Sequence, residues 1–219
     1  MVTGTGMTTD PALVLHQWLS PAFPVGAFTC SHGLEWEVAA GRVTSAAALD
    51  AWLRDCLAHG AGRTDAILLA AAYRATPETL AEVAELADAL APSSERRAET
   101  MEQGAAFART AGTIHGLELD PAAYPVSVGR AARLLDLPLD LTLRIFVQAF
   151  AANLVSAAVR LVPLGQTEAQ GVLLGLSRLI AQVAEDAVPG DLEAIGSASP
   201  LIDLASMRHE TQGTRLFRT

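Results

Sequence analysis

The side chains in this 219-residue chain best suited to metal binding or covalent chemistry are five histidines and two cysteines. The histidines are His16, His32, His59, His115 and His209, and the cysteines are Cys30 and Cys56. No two histidines stand as His-x-x-x-His or His-Glu-x-x-His, so no single helix face offers a pair of metal ligands. Only a site assembled from distant residues stays open. Neither cysteine belongs to a Cys-x-x-Cys pair, which speaks against a zinc knuckle or a thioredoxin-like centre. Cys30 lies beside Ser31 and His32 in a glycine-containing segment. A nucleophilic thiol needs a lowered pKa and an oriented base, whereas a small buried cysteine needs neither. His209, next to Glu210 near the end of the chain, suits a surface contact better than a closed site.

The basic residues narrow the chemistry further. All 15 are arginine, so Schiff-base chemistry, a lysine general base and the phosphate-binding lysine of nucleotide loops are absent. Neither G-x-x-x-x-G-K-[ST] nor G-x-G-x-x-G occurs, and no cofactor is implied. Against 24 acidic residues the net charge is -9, with no basic stretch, so nucleic acid and anionic membranes are poor partners. The repeating acids Glu78, Glu82, Glu85 and Asp88 read as a solvated helix face.

Two segments resist so plain a reading. Pro21 to Phe28, followed by Ser31 to Glu35, is a proline- and glycine-containing loop that is also apolar, so it must pack against something. The end of the chain, Arg208 to Arg218, mixes arginines with Leu216 and Phe217, residue types that anchor interfaces. It reads either as a docking segment for another surface or as a tail folded back on its own core.

The elements that must position these segments are helical. Asp10-Pro11 caps and opens a first helix. Helices are then expected from His32 to Ala40 and from Thr44 or Ser45 through a face of Leu49, Trp52, Leu53, Cys56 and Leu57. Further helices are expected over Asp65 to Arg74, from Thr76-Pro77 to Leu90 and from Ser93 or Ser94 to about Ile114. Val126 to Leu135 and Asp140 to Val162 follow. A capping-box spacing at Thr167 to Gln170 then starts a helix reaching about Ala187, and the last helix runs from Ser199-Pro200 to about Glu210. Between Arg144 and Arg160 lie 15 uncharged residues, too short and too polar for a membrane span and suited to a central core helix. With 51% hydrophobic residues and no alternating strand pattern, the expectation is an all-α fold. It is expected as a single helical domain of roughly eight to ten helices over 10–210, with a flexible N-terminus over 1–9 and a tail over 211–219. Two cysteines and no signal-peptide pattern suit the cytoplasm.

Four strings in order carry a resemblance. Leu19 to Glu35 (LSPAFPVGAFTCSHGLE), Gly104 to Arg109 (GAAFAR), Leu161 to Gln166 (LVPLGQ) and Ser206 to Arg218 (SMRHETQGTRLFR) resemble the urease accessory protein F family, UreF. Phe28 and Thr29 stand where family members often have Tyr and Ser, and Gly213 where Tyr or another large residue is usual.

The resemblance implies an all-α, usually homodimeric cytoplasmic protein that is not an enzyme and helps load nickel into apo-urease. It would bridge accessory protein D (H in some species) to the nickel-carrying GTPase G and control that GTPase's docking and metal release. The residues expected to meet partners are Pro24, Gly26, Phe28, Ser31, Gly33 and Glu35 in the first segment. In the second they are Arg208, His209, Glu210, Gln212, Arg215, Leu216, Phe217 and Arg218. No catalytic or metal-ligating residue is assigned. Two other classes stay in view: a nickel-binding metallochaperone in its own right, using His209 and Cys30, and a helical enzyme with a deep cleft of perturbed acids.

Overall fold

The computed structural model describes residues 10–196 and 199–219, and the segment expected to form a flexible N-terminus lies outside them. Among the described residues the chain is all-α. The helices are α1 (Pro11–Trp18), α2 (Leu34–Ala39), α3 (Ala46–Ala58), α4 (Ala61–Arg74), α5 (Pro77–Ala89) and α6 (Ser94–His115). They continue with α7 (Tyr124–Leu134), α8 (Leu139–Leu161), α9 (Gln166–Gly175), α10 (Ser177–Ala187) and α11 (Pro200–His209).

The start signals act through their side chains. Asp10 accepts from the Ala12 amide, Ser45 from Ala48, Thr76 from Thr79 and Ser93 from Arg96, each satisfying an otherwise orphan helix N–H. Several boundaries differ from expectation: α2 starts at Leu34 rather than His32, α4 at Ala61 rather than Asp65, with Gly62 inside it, and α7 at Tyr124 rather than Val126, and two further differences follow α8. The capping-box spacing at Thr167 is not used: α9 already starts at Gln166, with Gly165 as an N-cap that offers no side chain. The one helix expected from there to Ala187 is broken at Leu176, which is fully buried. The interruption is local: Leu176 keeps right-handed helical dihedrals, and its amide is shared between the Val172 and Leu173 carbonyls, each at 3.2 Å.

Helix α8 is the axis of the domain. Leu143, Phe146, Val147, Ala151, Leu154, Val155 and Ala158 are buried, and it packs on α1, α2, α3, α4, α7, α9 and α10. By length and composition it could cross a membrane, yet half of its most apolar window is covered by the rest of the chain. Its buried residues recur at three- and four-residue steps, so one broad face meets these neighbours, while Arg144, Ser156 and Arg160 stay exposed.

The loop after α1 and the helix α6 meet through rings. The Phe107 ring on α6 lies 5.2 Å from Trp18, 5.6 Å from Phe23 and 5.9 Å from Tyr124, centre to centre. The indole N–H of Trp18 donates to His115 Nε2 at 3.0 Å. One turn earlier on α6, Gly104 lies so close to the segment leading into α7 that an added Cβ would stand 1.8 Å from the Ala122 carbonyl oxygen. The glycine of the GAAFAR string thus sets a helix–backbone distance.

Candidate interaction surface

The loop between α1 and α2 is held from below. Gly26 adopts φ +80° and leads into a short 3-10 turn, Ala27–Thr29. Asn153 on α8 donates to the Ala27 carbonyl at 2.9 Å, and Arg160 donates to the Phe28 carbonyl at 2.8 Å. Phe23 is buried, while the Phe28 ring is 61% exposed. The loop therefore presents one ring outward on a backbone that α8 fixes.

The tail returns to that same loop. After α11 the chain turns, and the Arg218 amide donates to the Thr29 carbonyl at 2.8 Å. The Ser31 amide donates to the backbone oxygen of Thr219. Phe217 is 3% exposed, with the Arg160 guanidinium 4.3 Å above its ring. The same arginine, itself exposed, thus touches loop and tail, and an exposed cation–π contact of this kind adds about 0.5–1 kcal/mol.

Carboxylates receive the tail's donors. Glu35 on α2 accepts from the main-chain amides of Leu216 and Phe217 at 2.6 and 2.9 Å. On α6, Glu95 pairs with Arg215, Glu99 accepts from the Thr219 hydroxyl at 2.7 Å, and Glu102 pairs with Arg218 at 3.1 Å. Glu95, Glu99 and Glu102 recur at helical spacing, so one face of α6 carries all three. His209 completes the seat: its Nδ1 lies 2.6 Å from Glu95 and its Nε2 3.2 Å from Glu35.

Beneath the loop a cavity of about 160 Å³ opens, walled by Val25, Phe28, Phe146 and Phe150. A buried ion network forms its floor. Glu99 faces His32 at 2.9 Å and Arg96 at 3.3 Å, and Arg96 reaches Asp65 at 2.6 Å. Burial works to raise the Glu99 carboxyl, but His32, Arg96 and its hydrogen bonds outweigh that and hold it at about 2. For Asp65 the balance goes the other way, and burial raises its carboxyl despite Arg96. Burial and the Glu99 charge push the Cys30 thiol up to about 11, so at neutral pH it is a protonated, covered side chain and not a nucleophile. Among the described residues, no three His, Cys, Asp or Glu side chains converge in a way that could hold a metal ion.

The sequence-predicted residues divide by burial. Pro24, Phe28, Arg208, Arg215, Leu216 and Arg218 are exposed, and Gly26, Glu210 and Gln212 are half-buried. Ser31, Gly33, Glu35, His209 and Phe217 are buried within this chain. His209 corrects the expectation of a surface contact: it is fully buried, because two acidic helices bracket it. Phe217 is likewise corrected from an anchor free to fill another protein's pocket to a ring seated on its own domain. Gly33, at φ +80°, lets α2 meet α11, since an added Cβ would lie 2.6 Å from the Ser206 amide nitrogen. Glu210 turns onto α6 and accepts from the Ser94 amide at 2.8 Å. Sequence reasoning missed Asn153, Arg160, Glu95, Glu99 and Glu102. The acidic stripe on α6 was visible as spacing, whereas nothing local marks Arg160 as a joint.

The comparisons with known proteins match this arrangement along the chain. The UreF family model matches residues 43–177, between the loop and the tail. Full-length relatives cover both. A urease accessory protein UreF of Roseobacter denitrificans is 53% identical over 213 residues, spanning 97% of this chain and 96% of the relative. One of Cereibacter sphaeroides is 57% identical over 94% of this chain and 98% of its own length. One of Bradyrhizobium diazoefficiens is 48% identical over 94% and 90%. With the family model covering more than half of the chain and near-complete relatives on either side of 50% identity, this chain belongs to the UreF family of urease accessory proteins.

Proposed function

We propose that this protein is a non-catalytic scaffold in the insertion of nickel into apo-urease. In this reading it works in the cytoplasm as a homodimer. It bridges accessory protein D/H to the nickel-carrying GTPase G, and it controls when that GTPase docks and releases metal. The observation that carries the reading is the joining of loop and tail into one preformed surface. Phe28 and Leu216, 61% and 63% exposed, stand out from backbone that Arg160, Glu35 and Thr29 hold in place. An apolar surface held by these contacts loses little ordering entropy on binding; Arg215 and Arg218 at its rim pair with Glu95 and Glu102, so an acidic partner would exchange with those carboxylates. Control of the GTPase follows if the scaffold binds one of its nucleotide states better than the other.

The test uses the two exposed residues, because removing Thr211 to Thr219 would also uncover the buried Glu35, His209 and Phe217 seat. Phe28→Asp and Leu216→Asp are expected to leave thermal stability within about 0.5 kcal/mol of wild type, as exposed substitutions do. Each is expected to weaken co-purification with D/H, and recruitment of G, by about 1–2 kcal/mol. Undiminished capture by the double variant would overturn the assignment of this surface. Equilibrium dialysis separates the metallochaperone reading: tight stoichiometric nickel on the isolated chain would favour it.

A further inference from the structure

We propose that the cavity beneath the loop between α1 and α2 is a binding site for a small neutral aromatic molecule carrying a hydrogen-bond donor, the class of a phenol or an aromatic amide. The site is a property of the folded chain and does not rest on the partner reading above.

Size and walls set the first half of that class. Voids in packed interiors are few and rarely larger than a water, and an apolar cavity of about 150 Å³ is enough to hold benzene. This one measures about 160 Å³ and reaches the surface between Pro21, Phe28 and Ser156, all exposed. Phe28, Tyr124, Phe146 and Phe150 line it, so a flat ring finds aromatic contacts on several sides. The cavity is preformed, because Asn153 and Arg160 fix the loop above it.

The floor sets the second half. Arg96 is spent on Asp65 and Glu99, and His32 faces Glu99. An anion would stand beside those two carboxylates and a cation beside Arg96, so a neutral ligand costs least to bury. Two polar groups in the lining are not engaged in this way. Gln103, 7% exposed, turns its amide N–H groups to Glu99 and Cys30, while its carbonyl oxygen and the Tyr124 hydroxyl bond to no described residue. A donor on the ligand satisfies either one. His32 marks the same place by its backbone. It holds φ +54°, a left-handed conformation uncommon outside glycine, with its ring 4.8 Å from that of Phe150. Strained backbone of this kind clusters at ligand sites.

The experiment titrates para-cresol into the full chain at neutral pH and follows the backbone amides by NMR. Saturable shifts are expected at Val25, Phe28, Phe146 and Phe150, half-complete below about 1 mM, as suits a ligand of about eight heavy atoms. Benzoate, benzylammonium and para-methylanisole, an ether that lacks the donor, are each expected to bind at least about tenfold more weakly. Ala152→Phe puts a ring into the cavity and is expected to weaken para-cresol binding at least about tenfold, with thermal unfolding confirming that the variant folds. Should it fail to fold, Ser156→Phe narrows the mouth from an exposed position and is expected to have the same effect. No saturable shift up to about 10 mM, shifts that map elsewhere, equal binding of a charged probe or of the ether, or undiminished binding in the folded variant would each overturn the site.

Discussion

The guanidinium of Arg160 lies 4.3 Å from the centre of the Phe217 ring while donating to the carbonyl of Phe28 at 2.8 Å. One side chain at the end of the central helix thereby joins a loop near the start of the chain to its last residues. Neither segment has enough neighbours of its own to be rigid. Their order comes from shared supports on α2, α6 and α8.

Arg160→Ala removes a carbonyl hydrogen bond and a ring contact together. Each is worth on the order of 1 kcal/mol, so the tail is expected to open about ten- to thirtyfold more often. Hydrogen exchange of the Phe217 and Arg218 amides reads this directly. Arg160→Lys keeps the charge but lacks the planar fork that reaches ring and carbonyl at once, and is expected to fall between. Exchange at the wild-type rate in the alanine variant would remove Arg160 from the joint.

Glu99 gives the protein an acid-side pH dependence. Its carboxyl is held at about 2 against an ordinary 4.5, so the unfolded chain binds more protons than the folded one between those values. Its contribution is complete above about pH 4.5 and is lost as pH falls toward 2; the shift corresponds to about 3 kcal/mol. Asp65, whose carboxyl is raised, acts in the opposite sense. Glu99→Gln is expected to lower stability at pH 7 and to flatten the rise between pH 2.5 and 5. Urea unfolding at a series of pH values measures both. An unchanged slope would mean that the network does not hold this charge.

Gly33 and Gly26 share φ +80° but not their surroundings. A methyl group at Gly26 meets nothing within 4 Å, so Gly26→Ala is expected to cost only the left-handed strain, about 1 kcal/mol. At Gly33 the same group lies 2.6 Å from the Ser206 amide nitrogen, and α2 must move off α11. Gly33→Ala is expected to cost at least about 2 kcal/mol and to disturb the seat of the tail. Equal midpoints in chemical denaturation for the two variants would contradict the difference.

Much of the fold could be read in advance because its signals are local. Asp10-Pro11, Ser45, Thr76-Pro77 and Ser93 each place an oxygen within reach of the next free amides, and the α3 face of Leu49, Trp52, Leu53, Cys56 and Leu57 is buried as its spacing predicts. The break at Leu176 had no such mark, since no capping side chain makes it. Two of the four strings that resemble the UreF family cover the loop and the tail that the structure joins, but they carry no sign of the direction in which the side chains point.

Leu216 and Phe217 show where that limit lies. Composition determined that this chain is acidic and arginine-only, and the order of residues that it is helical and that an apolar pair interrupts the charges near its end. Which member of the pair is buried depends on the bend after α11 and on where Glu35 presents its oxygens, so Phe217 goes under Arg160 and Leu216 faces outward. His209 follows the same logic, polar by type yet fully buried between acids from two other helices. Hydrophobic periodicity and capping act between neighbours in the chain, whereas charge pairing and ring contacts act between neighbours in space, and only folding brings those together.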